Sequence, residues 1–248
     1  MVFAAAHWQA LRRDGYTVVS GAIDAPRLRA AQEAAERLNA RFPEGWERSR
    51  NESWREIRYC RDPAFMTLVG EALDPLALEI LESAPPVDFV QLAATFPGFA
   101  TKGGVGRNFH VDAGQQPALD VFNVLMGVAL TDVESDTAGS LHVLPQSHEL
   151  FAGLFRAQPE GPVHWGEVKL EGQKKFLSRR MVVPRVRAGD IIVAHSFLAH
   201  GTSANTTDKR RDMIFQRRAA RPLVDPANQA AAREAFMRDP WLFFRHRN

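Results

Sequence analysis

A mainly β fold, a sandwich or jelly-roll barrel with helices packed on one outer face, is what the sequence predicts, and three observations carry it. Helical periodicity is concentrated before Pro85 and after Val224. From Val87 onward, short β-branched and apolar runs alternate with glycine- and aspartate-containing turns, the pattern of antiparallel strands. A length of 248 residues suits one large all-β unit, so residues 1–248 are expected to form a single domain.

Taken in order, residues 4–13 predict a short helix, and Asp14-Gly15 a turn into a strand over Tyr16-Thr17-Val18-Val19. Asp24 before Pro26 opens a second helix, whose Leu28, Ala31, Ala35, Leu38 and Phe42 recur at helical spacing opposite a charged face. Residues 43–62 hold Trp46, Trp54 and Tyr59 among many charges with little periodicity, and are expected as a loop, in part a lid over a pocket. Two short helices are expected at 63–73 and 75–83, because Pro63 and Pro75 sit where first-turn prolines are tolerated. Val87–Phe96 is then a strand, Pro97–Gly106 a glycine-rich connection, and Phe109–Asp112 another strand. Strands follow over Leu119–Leu130 and Ser140–Leu144, an irregular connection over 149–181, and strands over Val182–Val186, Asp190–Ala194 and Asp212–Gln216. Ala188-Gly189 makes the turn between two of these. A last helix runs from Asp225-Pro226 to about Met237.

Composition narrows the class of function. The chain is 45% apolar and 24% charged, ordinary for a globular protein. No apolar run reaches the roughly 18 residues needed to cross a bilayer. Met1–Trp8 lacks a basic region followed by a long apolar one, so a cytoplasmic protein without membrane contact is expected. The one cysteine, Cys60, excludes an internal disulfide and a thiolate metal cluster, and reads as a small buried hydrophobe. Net charge is +2, yet arginines cluster at 179–180, 210–211 and 217–218. Acidic and apolar residues separate these clusters and no aromatic platform interleaves them. A solvated surface or a pull on small anions accounts for them better than nucleic-acid binding.

In an extended strand, side chains at i and i+2 leave the same face. In Phe109-His110-Val111-Asp112 this sets the imidazole of His110 beside the carboxylate of Asp112, with Val111 turned into the core. A third ligand stands at His200, and Arg211 follows it by eleven residues. Two histidines and a carboxylate on one face of an octahedral ion leave three positions open, and the donor set suits Fe(II). Two of those positions take the 1-carboxylate and 2-keto oxygens of 2-oxoglutarate, and the last takes O2. The far carboxylate of 2-oxoglutarate needs a cation at a fixed distance, and Arg211 makes paired charge-assisted hydrogen bonds of the required kind. Thr202, two residues past His200, offers a second bond. A His-x-Asp triplet alone is weak evidence, since a satisfied surface pair explains it as well. The joint arrangement with a glycine-rich loop before it, a Gly-Asp-Ile-Ile-Val strand before His200 and an arginine after raises the metal reading above that alternative. His142, His148 and His195 are read as structural or supporting groups, and His195 is the one most easily mistaken for the ligand.

These residues resemble the phytanoyl-CoA dioxygenase family: Asn108-Phe109-His110-Val111-Asp112, then Ala138-Gly139-Ser140-Leu141-His142-Val143-Leu144-Pro145-Gln146-Ser147-His148, then Ala188-Gly189-Asp190 through His200-Gly201-Thr202 and Arg211. The early Asp14–Val19 stretch is similar to that family's opening. The resemblance implies a double-stranded β-helix, a cupin-like jelly roll, with His110, Asp112 and His200 as iron ligands and Arg211 and Thr202 on 2-oxoglutarate. Gln91, Thr95 and Asn123 lie on strands that line the pocket in relatives, and Arg107 stands at another such position. A glutamine, Gln146, replaces the glycine of the family's proline-glycine-serine-histidine turn, which puts the turn type in question. The implied reaction splits 2-oxoglutarate into succinate and CO2 and oxidises a substrate C–H bond. Similar halogenases carry a small residue in place of the carboxylate, so Asp112 favours hydroxylation, desaturation or ring formation.

Two other classes fit parts of the pattern. A non-catalytic jelly-roll protein that binds metal or ligand has no need of Arg211, and a zinc hydrolase on the same ligands works without oxygen or keto acid. The expected partner is a small organic molecule. Lys102 and Arg107 flank the metal strand and suit an anionic group, although Lys102 suits a solvated surface equally. Trp46, Trp54 and Phe99 either wall an apolar pocket or pack against the domain. No residue pattern is specific to a CoA moiety, and tailoring of a secondary metabolite or hydroxylation of an amino acid satisfies the sequence equally. No feature assigns an oligomeric state.

Overall fold

The computed structural model describes residues 3–44, 48–50, 53–100, 110–112, 121–157 and 181–246. Helix α1 (Ala5–Asp14) ends at Gly15, whose φ of 81° lets its amide close on the Leu11 carbonyl. A side chain there would meet the His148 ring, so glycine is required twice over. Strand β1 (Tyr16–Val19) leads to α2 (Ala25–Ala40). The Asp24 side chain accepts from the Arg27 amide and Pro26 sits in the first turn, the start signals read from the sequence. Helix α2 packs on α3 (Pro63–Leu68) through a face of small residues, Ala31, Ala34 and Ala35.

The two separate helices expected over 63–83 are instead one run. Helix α3 passes through a π turn (Val69–Leu73) into α4 (Asp74–Ile80). Pro75 has no amide to donate into the turn before it, and the widened π turn accommodates that loss.

Seven antiparallel strands form the main sheet, in the order β1-β7-β5-β9-β4-β3-β2. Their bounds are β2 Arg48–Arg50, β3 Trp54–Cys60, β4 Val90–Thr95, β5 Val124–Ala129, β7 Ile191–His195 and β9 Arg211–Arg218. A second sheet pairs β6 (Leu141–Val143) with β8 (His200–Thr202), and single bridges add His110 beside His200 and Val182 beside Val143. Leu141 and Val143 pack against Leu125, Ile192 and Met213 of the main sheet, so the two sheets face each other across an apolar layer. This is a jelly roll whose main sheet is not closed as a barrel. On β9 the pleat divides the residues: Ile214 joins the core under the helices, while Met213 and Phe215 face the second sheet. Arg211 and Arg217 share that second face. Among the described residues no helix is long and apolar enough to cross a membrane.

Other expectations are corrected as well. Within the expected loop, Arg48–Arg50 and Trp54–Cys60 pair antiparallel as β2 and β3. Their alternation is hidden because the buried inner position Glu56 is charged and pairs with Arg58 at 2.9 Å. Within the connection expected to be irregular, α5 (Ser147–Ala157) buries Phe151, Ala152 and Phe155 at helical spacing; residues 158–180 lie outside the described residues. Val182–Val186 makes only isolated bridges. The final helix, α7 (Gln229–Arg238), starts later than Asp225-Pro226, and a short helix, α6 (Arg221–Val224), precedes that pair.

Candidate metal centre

His110 and His200 lie directly opposite each other across their bridge, exchanging backbone hydrogen bonds of 2.8 and 2.9 Å. Residues paired in this way present side chains to one face. Their ring centroids are 4.5 Å apart. Asp112 reaches both: its Oδ1 is 3.4 Å from His110 Nε2 and its Oδ2 3.8 Å from His200 Nε2. One ligand atom from each of the three lies within 4.8 Å of the others, a group that can hold a metal ion. Val111, between the two ligands, is buried in the core, as the alternation requires. His200 Nδ1 lies 2.9 Å from the Leu198 carbonyl. A carbonyl only accepts, so Nδ1 carries the proton and Nε2 turns its lone pair toward the cluster.

Protonation fits ligation. Burial alone would raise the Asp112 carboxyl, but Arg217, His200 and His110 together hold it well below the usual carboxylate range. Burial and the neighbouring His110 push His200 down to about 4, against the opposing pull of Asp112. A carboxylate and a neutral imidazole are therefore present at neutral pH.

Arg211 is 3% exposed and, among the described residues, has no carboxylate within ion-pair distance. Its Nε donates to the Gly139 carbonyl at 2.6 Å and its Nη1 to the Ala93 carbonyl at 3.0 Å, leaving Nη2 without an acceptor among the described residues. Burial lowers its pKa to about 10, which keeps the cation at neutral pH. Thr95 stands opposite Arg211 on β4 and donates its hydroxyl to the same Gly139 carbonyl at 2.9 Å. A side chain at Gly139 would collide with Thr95, so this close approach depends on glycine. Thr202 shares a face of β8 with His200 and is half-buried.

Gln91 is brought to the cluster by a residue the sequence reading did not single out. Arg217 Nη1 donates to Gln91 Oε1 at 2.8 Å, and its Nε to Asp112 Oδ2 at 3.1 Å. Counting every second residue from Arg211 along β9 finds it. Asn123 corrects an expectation. Its Nδ2 donates to the Leu242 carbonyl and its Oδ1 accepts from the Ala220 amide, so it ties down the C-terminal segment and does not line the pocket. Arg107, Lys102 and Trp46 lie outside the described residues; Phe99 is buried and Trp54 half-buried. Among the described residues, no other histidine joins the three-ligand group. His195 stacks on Phe244 at 5.6 Å, and His142 is buried on β6. Burial, with His200 and His110 nearby, pushes His142 down to about 4. Gln146 adopts a φ of 66°, the left-handed conformation that glycine favours, so the turn keeps its shape despite the replacement.

Solved structures place the fold among known ones. The non-heme alpha-ketoglutarate-dependent epimerase SnoN from nogalamycin biosynthesis is 22% identical over 87% of this chain and 82% of its own, with a TM-score of 0.67. The carbocyclase SnoK from the same biosynthesis is 20% identical over 86% and 82%, with a TM-score of 0.66. HygX from Streptomyces hygroscopicus, solved with nickel and 2-oxoglutarate bound, is 17% identical over 88% and 87%, with a TM-score of 0.60. No curated protein matches the chain. At these identities the likeness establishes the jelly-roll fold. The sequence pattern of the phytanoyl-CoA dioxygenase family, however, matches residues 11–213, a span that contains His110, Asp112, His200 and Arg211, and the chain therefore belongs to that family of Fe(II)- and 2-oxoglutarate-dependent oxygenases.

Proposed function

We propose that the protein hydroxylates a C–H bond of a small organic molecule, with His110, Asp112 and His200 holding Fe(II) and Arg211 anchoring 2-oxoglutarate. The carrying observation is the pairing of a three-ligand cluster with a buried guanidinium that, among the described residues, lacks a carboxylate partner. Burying a cation unpaired is costly, and an incoming carboxylate offsets that cost. Held there, Fe(II) would supply the chemistry by which O2 oxidises 2-oxoglutarate to succinate and CO2, one oxygen atom going to succinate and the other to the substrate C–H bond.

The chain's own residues do the positioning. The Gly139 and Ala93 carbonyls fix the guanidinium plane, so Nη2 and the second proton of Nη1 meet the far carboxylate of 2-oxoglutarate already oriented. Thr202 offers that carboxylate a hydroxyl. Leu125, Met213 and Phe215 wall the space between the sheets and exclude water from it. A cytoplasmic location accords with this reading, since Fe(II) and 2-oxoglutarate are supplied there.

The test is succinate release from 2-oxoglutarate with Fe(II) and oxygen and no added substrate. An enzyme of this kind makes succinate only when oxygen is present; a non-catalytic binder makes none. Because the solved relatives include an epimerase and a carbocyclase, product mass then separates hydroxylation, which adds one oxygen atom, from isomerisation and ring closure.

A further inference from the structure

We propose that Arg217 is the residue that selects the substrate, by receiving a singly charged anionic group such as a carboxylate at the mouth of the pocket. This rests on the reading that His110, Asp112 and His200 hold the ion.

Arg217 sits at the far end of β9 from Arg211, on the same face of the strand. Its side chain is 42% exposed, whereas Asp112, which it touches, is 11% exposed, so the guanidinium spans from the ligand cluster to the opening. Two of its nitrogens are committed, Nε to Asp112 and Nη1 to Gln91. Its Nη2 has no acceptor among the described residues. The Phe122 ring lies 5.7 Å from its Cζ and gives the cation an apolar flank.

Charge decides what that nitrogen should meet. In the loaded site, the two charges of Fe(II) and the one of Arg211 are balanced by Asp112 and the two carboxylates of 2-oxoglutarate. Among the described residues that touch the cluster, Arg217 is then the cation left over. On β3, further along the sheet, Glu56 and Arg58 pair with each other at 2.9 Å. A substrate bearing one negative charge restores neutrality and takes the uncommitted Nη2 in a charge-assisted hydrogen bond. Anchored there, the substrate lies one residue's reach from Asp112, and its reactive carbon is held beside the ligand cluster.

The experiment uses the whole protein loaded with Zn(II) and saturating 2-oxoglutarate, so that no turnover occurs, and compares benzoate with benzamide by ligand-observed NMR. The two probes share a shape and differ in charge. The expected result is that benzoate binds about tenfold more tightly than benzamide. In Arg217→Gln the two should bind alike, and Arg217→Lys should regain part of the preference. Equal binding of the two probes to the unaltered protein, or a preference that survives in Arg217→Gln, would overturn the inference. So would loss of zinc from Arg217→Gln, since Arg217 would then serve only to support Asp112. Failure of the unaltered protein to retain zinc would instead sink the reading of the metal centre on which this rests.

Discussion

His195 and His200 stand five residues apart on one stretch of chain, both buried, and the structure uses them in opposite ways. His195 turns toward the helices. Its Nε2 donates to the Pro240 carbonyl at 2.7 Å and its Nδ1 accepts from the Phe197 amide at 3.0 Å, so the backbone consumes both nitrogens. Phe244 and Phe236 stack on the ring. His200 turns into the space between the sheets, where the backbone takes only Nδ1 and Nε2 remains for Asp112 and an ion. Burial depresses both, His195 to about 3 and His200 to about 4, so a lowered pKa does not distinguish them. What distinguishes a ligand from a rivet is whether the backbone leaves one ring nitrogen unspent and facing a carboxylate.

The comparison breaks most sharply on removal of each ring. His200→Ala, His110→Ala and Asp112→Ala should each abolish metal retention and succinate release, read by metal analysis and product assay, while the thermal unfolding of the metal-free protein changes little. His195→Asn should do the reverse: it should keep the metal and lose about 2 to 4 kcal/mol of stability, because a cavity opens and a carbonyl is orphaned. Metal loss in His195→Asn with an unchanged unfolding midpoint would erase the distinction.

Arg211→Ala should leave metal retention intact and raise the 2-oxoglutarate requirement by roughly ten- to a hundredfold, from about 1.5 to 3 kcal/mol of lost charge-assisted hydrogen bonding. An unchanged dependence of succinate release on 2-oxoglutarate would reject this anchor.

The pH dependence sharpens the comparison further. Burial, then the neighbouring His148, sets the folded pKa of His195 near 3, below the ordinary 6.5. The unfolded chain therefore takes up the proton first on acidification. The stability due to neutral His195 is fully present above about pH 6.5 and is lost as the pH falls toward 3. Linkage puts the loss at about 2 kcal/mol between pH 7 and pH 5 for this one group. Denaturant unfolding at the two pH values should show His195→Asn with a shallower pH dependence than the unaltered protein; equal slopes would contradict the assignment. The smallest effect is expected of Thr202→Val, a few-fold rise in the 2-oxoglutarate requirement from about 0.5 to 1.5 kcal/mol.

The centre was legible in the sequence because its geometry is local. Of the strand expected over Phe109–Asp112, the described residues keep the single bridge at His110 with Asp112 in a bend, yet His110 and Asp112 still meet on one side of Val111. The Ala188-Gly189 turn and the strand after it deliver His200. The β2–β3 hairpin was not legible, because its inner face carries the Glu56–Arg58 pair where an apolar alternation would have signalled a strand. Helix α5 was legible in principle from Phe151 and Phe155 but lay in a stretch read as irregular. Arg217 was hidden for another reason. Adjacent to Arg218 it reads as a basic pair, yet the pleat sends Arg218 to Asp74 among the helices and Arg217 to Asp112 in the pocket. Asn123 went the other way, since nothing in its neighbours announces the C-terminal segment that its amide holds.

The most direct test is an anaerobic titration of the protein with Fe(II) in the presence of 2-oxoglutarate, followed by the visible charge-transfer absorbance of iron chelated by a 2-keto acid. The absorbance should saturate at one iron per chain in the unaltered protein and in His195→Asn, and be absent in His200→Ala. A chain that develops no such absorbance, or a His200→Ala variant that develops it in full, would contradict the account.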